Sequence, residues 1–292
     1  MDWERAKSVL LISFLILNLF LGYKWIIESD TPYLQAQITD EQRAELEQRL
    51  KSHNLTFDLD ISQESFTANY LRVSNFQTDL RKKISLLIEG SYSLKSDEDT
   101  TIVSSEHEEV VISQSPGGRI NISFKNGYLD KEENGEFQLT KETAKEQAEK
   151  LFDLLNFPDN LTLNKKVEQS NSKRLIYYQE IDDYNLYGGF TLVKLGNDGV
   201  REIEGFLLEK EGFKDESIEI IPATMAILRL LENLPPNENI QEITNITFGY
   251  YTEGYIADEW EAVPVWKIEI EDGNQNYYIN AFTGDLEHKG GY

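Results

Sequence analysis

Hydrophobic positions are distributed in two different ways along this chain. From Val9 to Tyr23 the sequence VLLISFLILNLFLGY is almost unbroken apolar, and Trp25-Ile26-Ile27 extends it past Lys24. As a helix, Val9–Ile27 comprises 19 residues and spans about 28 Å at ~1.5 Å per residue, close to the hydrocarbon thickness of a bilayer. Arg5 and Lys7 precede the run, whereas Glu28 and Asp30 follow it. The positive-inside rule therefore predicts residues 1–8 in the cytoplasm and the chain after residue 30 outside. Trp3, Tyr23 and Trp25 suit the two interfacial aromatic belts, and Lys24 can snorkel. A cleaved signal peptide would have a shorter apolar region and a small-x-small site soon after it. The bulky Tyr23-Lys24-Trp25-Ile26-Ile27 offers no such site, so the segment reads as an uncleaved single-pass anchor. Its exceptions are Ser13, Asn18 and Gly22. Phe14, Asn18 and Gly22 recur every four residues and share a helix face, where an amide and a small residue favour another helix. That face is the candidate interaction site.

Beyond a linker at 28–38 the pattern becomes that of a water-soluble α+β region. Thr39-Asp40-Glu41-Gln42 reads as a capping box opening a helix to about His53, with Leu46 and Leu50 on one side. Short β-like runs follow: Leu55–Ile61, Asn69–Phe76, Ile84–Leu94, Thr100–Val103 and Glu109–Ser113. In Gly118–Lys125, Ile120, Ile122 and Phe124 alternate with polar residues, and Asn126-Gly127 predicts a hairpin turn. Lys131–Gly135 is the expected boundary between one extracytoplasmic domain (39–135) and a second (136–292). The second repeats a layout. Thr140 caps a helix with the stripe Ala144, Ala148, Leu151, Phe152 and Leu155, and four strand runs follow to Glu209. Pro222 then opens a helix through Leu234, followed by strands Ile243–Tyr251, Val263–Ile270 and Gln275–Phe282. Each unit, about 140–210 and 222–287, is one helix and an antiparallel meander, which predicts sheets each covered by helices.

Composition sharpens this picture. The 292 residues are 40% hydrophobic and include 15 Tyr and 14 Phe, enough for a real core rather than a disordered tail. Against 28 Lys plus Arg stand 52 Asp plus Glu, a net charge of −24. Such a surface repels phosphate backbones, so nucleic acid is excluded as a partner, and membrane lipid is met only through the anchor. Cysteine is absent, which removes disulfides, thiol nucleophiles and Cys-type metal sites. Exported domains without cysteine are a common Gram-positive pattern.

Candidate chemistry is poor. There is no G-x-S-x-G, Walker loop or H-E-x-x-H. His53 ends a helix, His288 falls in the C-terminal tail, and Glu106-His107-Glu108-Glu109 reads as a charged loop rather than a metal site. Ser170-Asn171-Ser172-Lys173 fits S-x-x-K but lacks its companion motifs. Asp97-Glu98-Asp99 lacks the Gly and Glu of a calcium loop. Adjacent carboxylates such as Asp182-Asp183 and Asp258-Glu259 are expected by chance in so acidic a chain. No catalytic residue, cofactor or metal is therefore expected. The aromatic stretch from Tyr250-Tyr251 through Trp260 and Trp266 to Tyr277-Tyr278 has two readings: alternating core, or a partly exposed docking patch.

The stretch Met1–Lys7 leading into Phe14–Tyr23, with the ending Trp266-Lys267-Ile268 … Tyr277–Leu286, resembles the YycI family. The ending is also similar to a PepSY-type strand and turn. The resemblance implies a membrane-anchored, non-enzymatic accessory regulator of the WalK (YycG) sensor histidine kinase, acting with a similarly anchored YycH-type protein in control of cell-wall metabolism. A PepSY-like exported inhibitor or binding module, acting on a wall hydrolase or protease, is the alternative.

Overall fold

The computed structural model describes residues 40–57, 66–78, 80–83, 86–88, 90–115, 117–129, 140–169, 172–234, 241–271 and 275–290, together with the helical positions Lys7, Ser13, Phe14 and Asn18. The expected anchor thus lies almost wholly outside the described residues. Among those residues no helix is long and apolar enough to cross a membrane.

Helix and strand follow the sequence periodicities. Helix α1 (Asp40–Ser52) buries Leu46 and Leu50, one turn apart, and leaves most of its surface polar. Strands β1 (Leu55–Phe57), β2 (Thr67–Ala68) and β3 (Leu71–Asn75) follow, then a single turn α2 (Leu80–Lys83). The meander β4 (Ser93–Ser96), β5 (Thr100–Ser104), β6 (Glu109–Gln114) and β7 (Arg119–Tyr128) closes the first part. The expected single strand Ile84–Leu94 does not form. Gly90, at φ 81°, breaks the extended run, and β4 begins only at Ser93.

Helix α3 (Lys141–Leu155) begins at Thr140, whose side chain accepts from the Thr143 amide while Thr143 Oγ1 accepts from the Thr140 amide. It ends on Asn156 in the left-handed conformation. Its predicted stripe of Ala144, Ala148, Leu151, Phe152 and Leu155 is buried. Strands β8 (Leu161–Gln169), β9 (Ser172–Ile181), β10 (Tyr184–Gly196) and β11 (Gly199–Phe206) form the meander, continued by β12 (Leu208–Phe213) and β13 (Ile218–Glu219). Helix α4 (Ala223–Asn233) follows Pro222, and β14 (Gln241–Tyr251), β15 (Trp260–Ile270), β16 (Gln275–Asn280) and β17 (Leu286–Gly290) repeat the layout.

The strands form one continuous 15-stranded sheet, apart from the pair β13–β2. Its two helix-covered parts, here the first and second sheets, share a core between them. One apolar cluster lies under α3 and takes Ile120, Ile122 and Tyr177 from the first sheet. Another lies under α1 and α4 and takes Trp266, Ile268 and Ile270 from the second. Between them, the opposite faces of the same strands meet: Ile176, Tyr178 and Tyr187 from β9 and β10 against Val265 and Tyr278 from β15 and β16. Strands β9 and β15 are therefore buried on both sides, which is why their interiors depart from clean alternation.

The sheets join at β10. Its start pairs in parallel with β14 through Asn185↔Gly249 and Leu186↔Tyr250, while its end pairs with β11. Further ladders cross the expected 135/136 boundary: β7 pairs with β11, β1 with β14, and β3 with both β12 and β15.

One turn expectation is corrected. Asn126-Gly127 does not make a hairpin but sits within β7, where the register against β11 jumps from Glu202↔Ser123 to Val200↔Tyr128. Gly127, at φ 73°, supplies a bulge instead, and a side chain there would strike the Asp198 backbone.

Candidate interaction surfaces

The three faces of interest are built by different parts of the fold. In the N-terminal helix, the Asn18 side-chain amide donates to the Phe14 carbonyl at 2.8 Å, and Phe14 is exposed. The contact brings two of the three predicted residues together on one face and satisfies one amide proton within the helix. The carbonyl oxygen and second proton of that amide are not used by this bond, so the group retains capacity to bond another helix. Gly22, the third residue, lies outside the described residues.

The second feature lies between the sheets. Lys267 projects from β15 into the middle cluster and is only 2% exposed. Its ammonium pairs with Glu269 at 2.6 Å, two residues along the same strand face. The rings of Tyr178 and Tyr187 stand 5.2 and 5.3 Å from Nζ, so aromatic faces replace part of the lost hydration. Tyr187 is held in turn by Thr247, with 2.7 Å between hydroxyl oxygens. Burial pushes its phenol pKa well above the ordinary tyrosine range. Sequence alternation marks Lys267 and Glu269 as a solvent face, which misses the site. The available signal is Val263 and Val265, apolar residues of the same parity. The arrangement is a structural pair: the Lys267 ammonium is enclosed by two tyrosine rings and a carboxylate, and Glu269 is part-exposed.

The third surface is the β14–β15 connection. It separates the two readings of the aromatic stretch. Tyr250, Trp266, Tyr277 and Tyr278 are core, whereas the exposed apolar residues are Tyr255 and Ile256, which the sequence pattern does not single out. His288, expected in a solvated tail, lies on β17 and stacks on Tyr251 at 5.2 Å. Beside it, Tyr251, Tyr255, Val263, Glu253, Glu261 and Glu287 line a cleft of about 260 Å³.

Chemistry elsewhere stays dispersed. His53 Nδ1 contacts the Arg49 carbonyl at the end of α1, and His107 lies in the β5–β6 turn. Asp97 accepts from the Glu98 amide in the β4–β5 turn. Ser172 and Lys173 lie in β9, while Ser170 and Asn171 fall outside the described residues. Among the described residues no three His, Asp or Glu side chains are grouped to hold a metal ion.

Comparison with known proteins then decides the family. The sequence model of the YycI protein matches residues 34–282. The chain belongs to the YycI family. Membership points to a regulatory accessory role in the WalK system, not to a catalytic one. No curated protein matches this member of the family in sequence. Among solved structures, an uncharacterized protein from Eubacterium rectale superposes with a TM-score of 0.52 at 12% identity, covering 86% of this chain and 99% of that one. At that identity the likeness concerns the fold. The Bacillus megaterium YpeB C-terminal domain gives a TM-score of 0.39 at 15% identity over 74% of this YycI chain and 98% of its own.

Proposed function

We propose that this YycI-family protein is a membrane-anchored accessory regulator that modulates a WalK-type, cell-wall-sensing histidine kinase together with a YycH-type protein. The family match over residues 34–282 carries this reading. In it, Val9–Ile27 crosses the cell membrane with its N-terminus in the cytoplasm, and the two helix-covered sheets lie outside. Contact is made by the anchor, through Phe14, Asn18 and Gly22, and by the exported surface. Regulation then requires that these contacts differ in free energy between two states of the kinase, since equal binding to both would shift nothing.

The local bond of Asn18 to Phe14 supports one part of this account. It lets an amide sit in a lipid-facing helix at reduced cost while keeping a donor and an acceptor for a neighbour. Asn18→Leu and Gly22→Leu, introduced separately into the full chain, are expected to weaken co-purification with the kinase and the YycH-type protein from detergent-solubilised membranes. Undiminished association and signalling in both variants would refute the proposed face. Inhibition of a wall hydrolase or protease by residues 31–292 alone would favour the exported-inhibitor alternative.

A further inference from the structure

We infer that the β14–β15 loop is a preformed docking tip for an apolar groove, rimmed by Lys and Arg, on another extracytoplasmic protein. The proposal rests on the accessory-regulator reading for the partner's location, but its chemistry comes from the loop itself. Residues 253–259 are exposed throughout, and Ile256 is 83% accessible, with Tyr255 at 52% beside it. An isolated exposed Ile requires no explanation, but this one stands on a constrained base.

The constraints are specific. Thr252, 5% exposed, accepts a 2.8 Å hydrogen bond from the Trp260 indole and donates to the Glu253 carbonyl at 3.0 Å. The Asn75 amide donates to the Tyr255 carbonyl at 3.4 Å. The Tyr255 ring meets Trp260 edge-on at 5.9 Å. Gly254 lies so close to the Gly117 carbonyl and the Phe206 ring that a side chain there would need space from both. The β14–β15 ladder runs up to Tyr251↔Val263, and beyond it the returning foot, Trp260–Ala262, pairs with β3. Apolar side chains on such a base lose little freedom on binding, which is the property of an interface anchor.

Charge selects the occupant. Glu253, Asp258 and Glu259 flank the tip, and Glu261 and Glu287 line the adjoining cleft of about 260 Å³. Lys214 pairs with Glu261 and Arg72 with Glu259, yet carboxylates outnumber these two cations. A second copy of the chain, itself at −24, would bring like charge to like. Anionic lipid would be repelled for the same reason. A basic rim is attracted, and the cleft takes one Lys or Arg side chain, which the carboxylates of Glu253, Glu261 and Glu287 in its lining favour.

The test uses the full-length protein in intact membranes with a photo-crosslinking amino acid at Ala257. The proposal expects a crosslink to a different protein, at a peptide with clustered Lys and Arg. The yield should fall at least about tenfold with Ile256→Asp. It should fall severalfold with the pair Glu253→Lys and Asp258→Lys, and on raising salt from about 0.05 to about 0.5 M. An unchanged melting temperature for Ile256→Asp shows that folding is not the cause. Crosslinks to a second copy or to lipid, an absence of crosslinks, or a yield indifferent to Ile256→Asp would each overturn the proposal. Co-purification of the kinase, measured in parallel, separates the two ideas. If the kinase is retained while the tip crosslinks nothing, only the docking tip is refuted; if the tip crosslinks a basic protein while kinase association is absent, only the regulatory reading is.

Discussion

Replacing Gln179 by Leu removes the two hydrogen bonds that its side chain makes to the Leu208 backbone, in a place closed to water. Gln179 is fully buried on β9. Its amide donates to the Leu208 carbonyl at 2.7 Å, and its carbonyl oxygen accepts from the Leu208 amide at 2.8 Å. One side chain thus plays the part of a backbone partner where the chain leaves β11 and becomes β12. That is also where the register of β9 against β10 jumps, from Gln179↔Leu186 to Tyr178↔Phe190. The jump is possible because Gly189 offers no side chain to block the Gln179 amide. Leu matches Gln closely in volume, so the substitution creates little cavity but leaves a buried N–H and a buried C=O without partners. At roughly 1–3 kcal/mol for each orphaned group, the expected loss is about 2–6 kcal/mol. Chemical denaturation of the full chain in detergent, followed by the fluorescence of Trp260 and Trp266, should show the midpoint falling with an unchanged slope. A loss below about 0.5 kcal/mol would mean that water or a local shift satisfies Leu208, and the argument for this junction would fail.

Three further outcomes follow from other contacts. Glu269→Ala leaves the buried Lys267 ammonium without its carboxylate and should destabilise by about 3 kcal/mol, whereas Lys267→Met, which leaves the part-exposed Glu269 hydrated, should cost under about 2 kcal/mol; the reverse order in thermal or chemical denaturation would refute the buried-pair account. Burial pushes the Tyr187 phenol up, and burial reinforced by the charges of Tyr184 and Asp182 pushes Tyr250 up to about 12. The neutral phenols are thus favoured in the folded state, so stability should be level below about pH 10 and decline from there to about pH 12 as the unfolded chain ionises first. Denaturation midpoints that stay level from about pH 10 to about pH 12, or that rise over that range, would contradict this. Thr140→Ala removes the α3 cap and should cost about 1 kcal/mol, read as a shift in the denaturation midpoint.

Much of the fold is legible from local patterns because its helices and outer strands each bury one face. The stripe of α3, the Thr140 cap, the alternation of β7 and the Trp266–Ile268–Ile270 face all follow from residue type and spacing alone. What sequence does not show is how the sheets meet. Lys267 and Glu269 read as solvated because alternation reports which face is polar, not whether another sheet covers it. The Asn126-Gly127 pair supplies a positive φ to a bulge as readily as to a hairpin, and only the partner strand decides between them. His288 looks like tail because β17 carries no apolar run of its own and is defined by pairing with β16. The candidate surfaces divide in the same way. The Asn18 face follows from helical spacing, whereas the prominence of Ile256 depends on a base assembled from residues as distant as Asn75 and Phe206.

The decisive measurement is in-cell crosslinking of the untagged, full-length protein in membranes, with mass spectrometry identifying both its neighbours and its mature N-terminus. The account predicts a membrane-bound chain that retains residues 1–30 and is joined to a sensor histidine kinase and a second single-pass protein. Recovery of the chain from the medium, trimmed of its apolar segment and with no kinase among its neighbours, would contradict it.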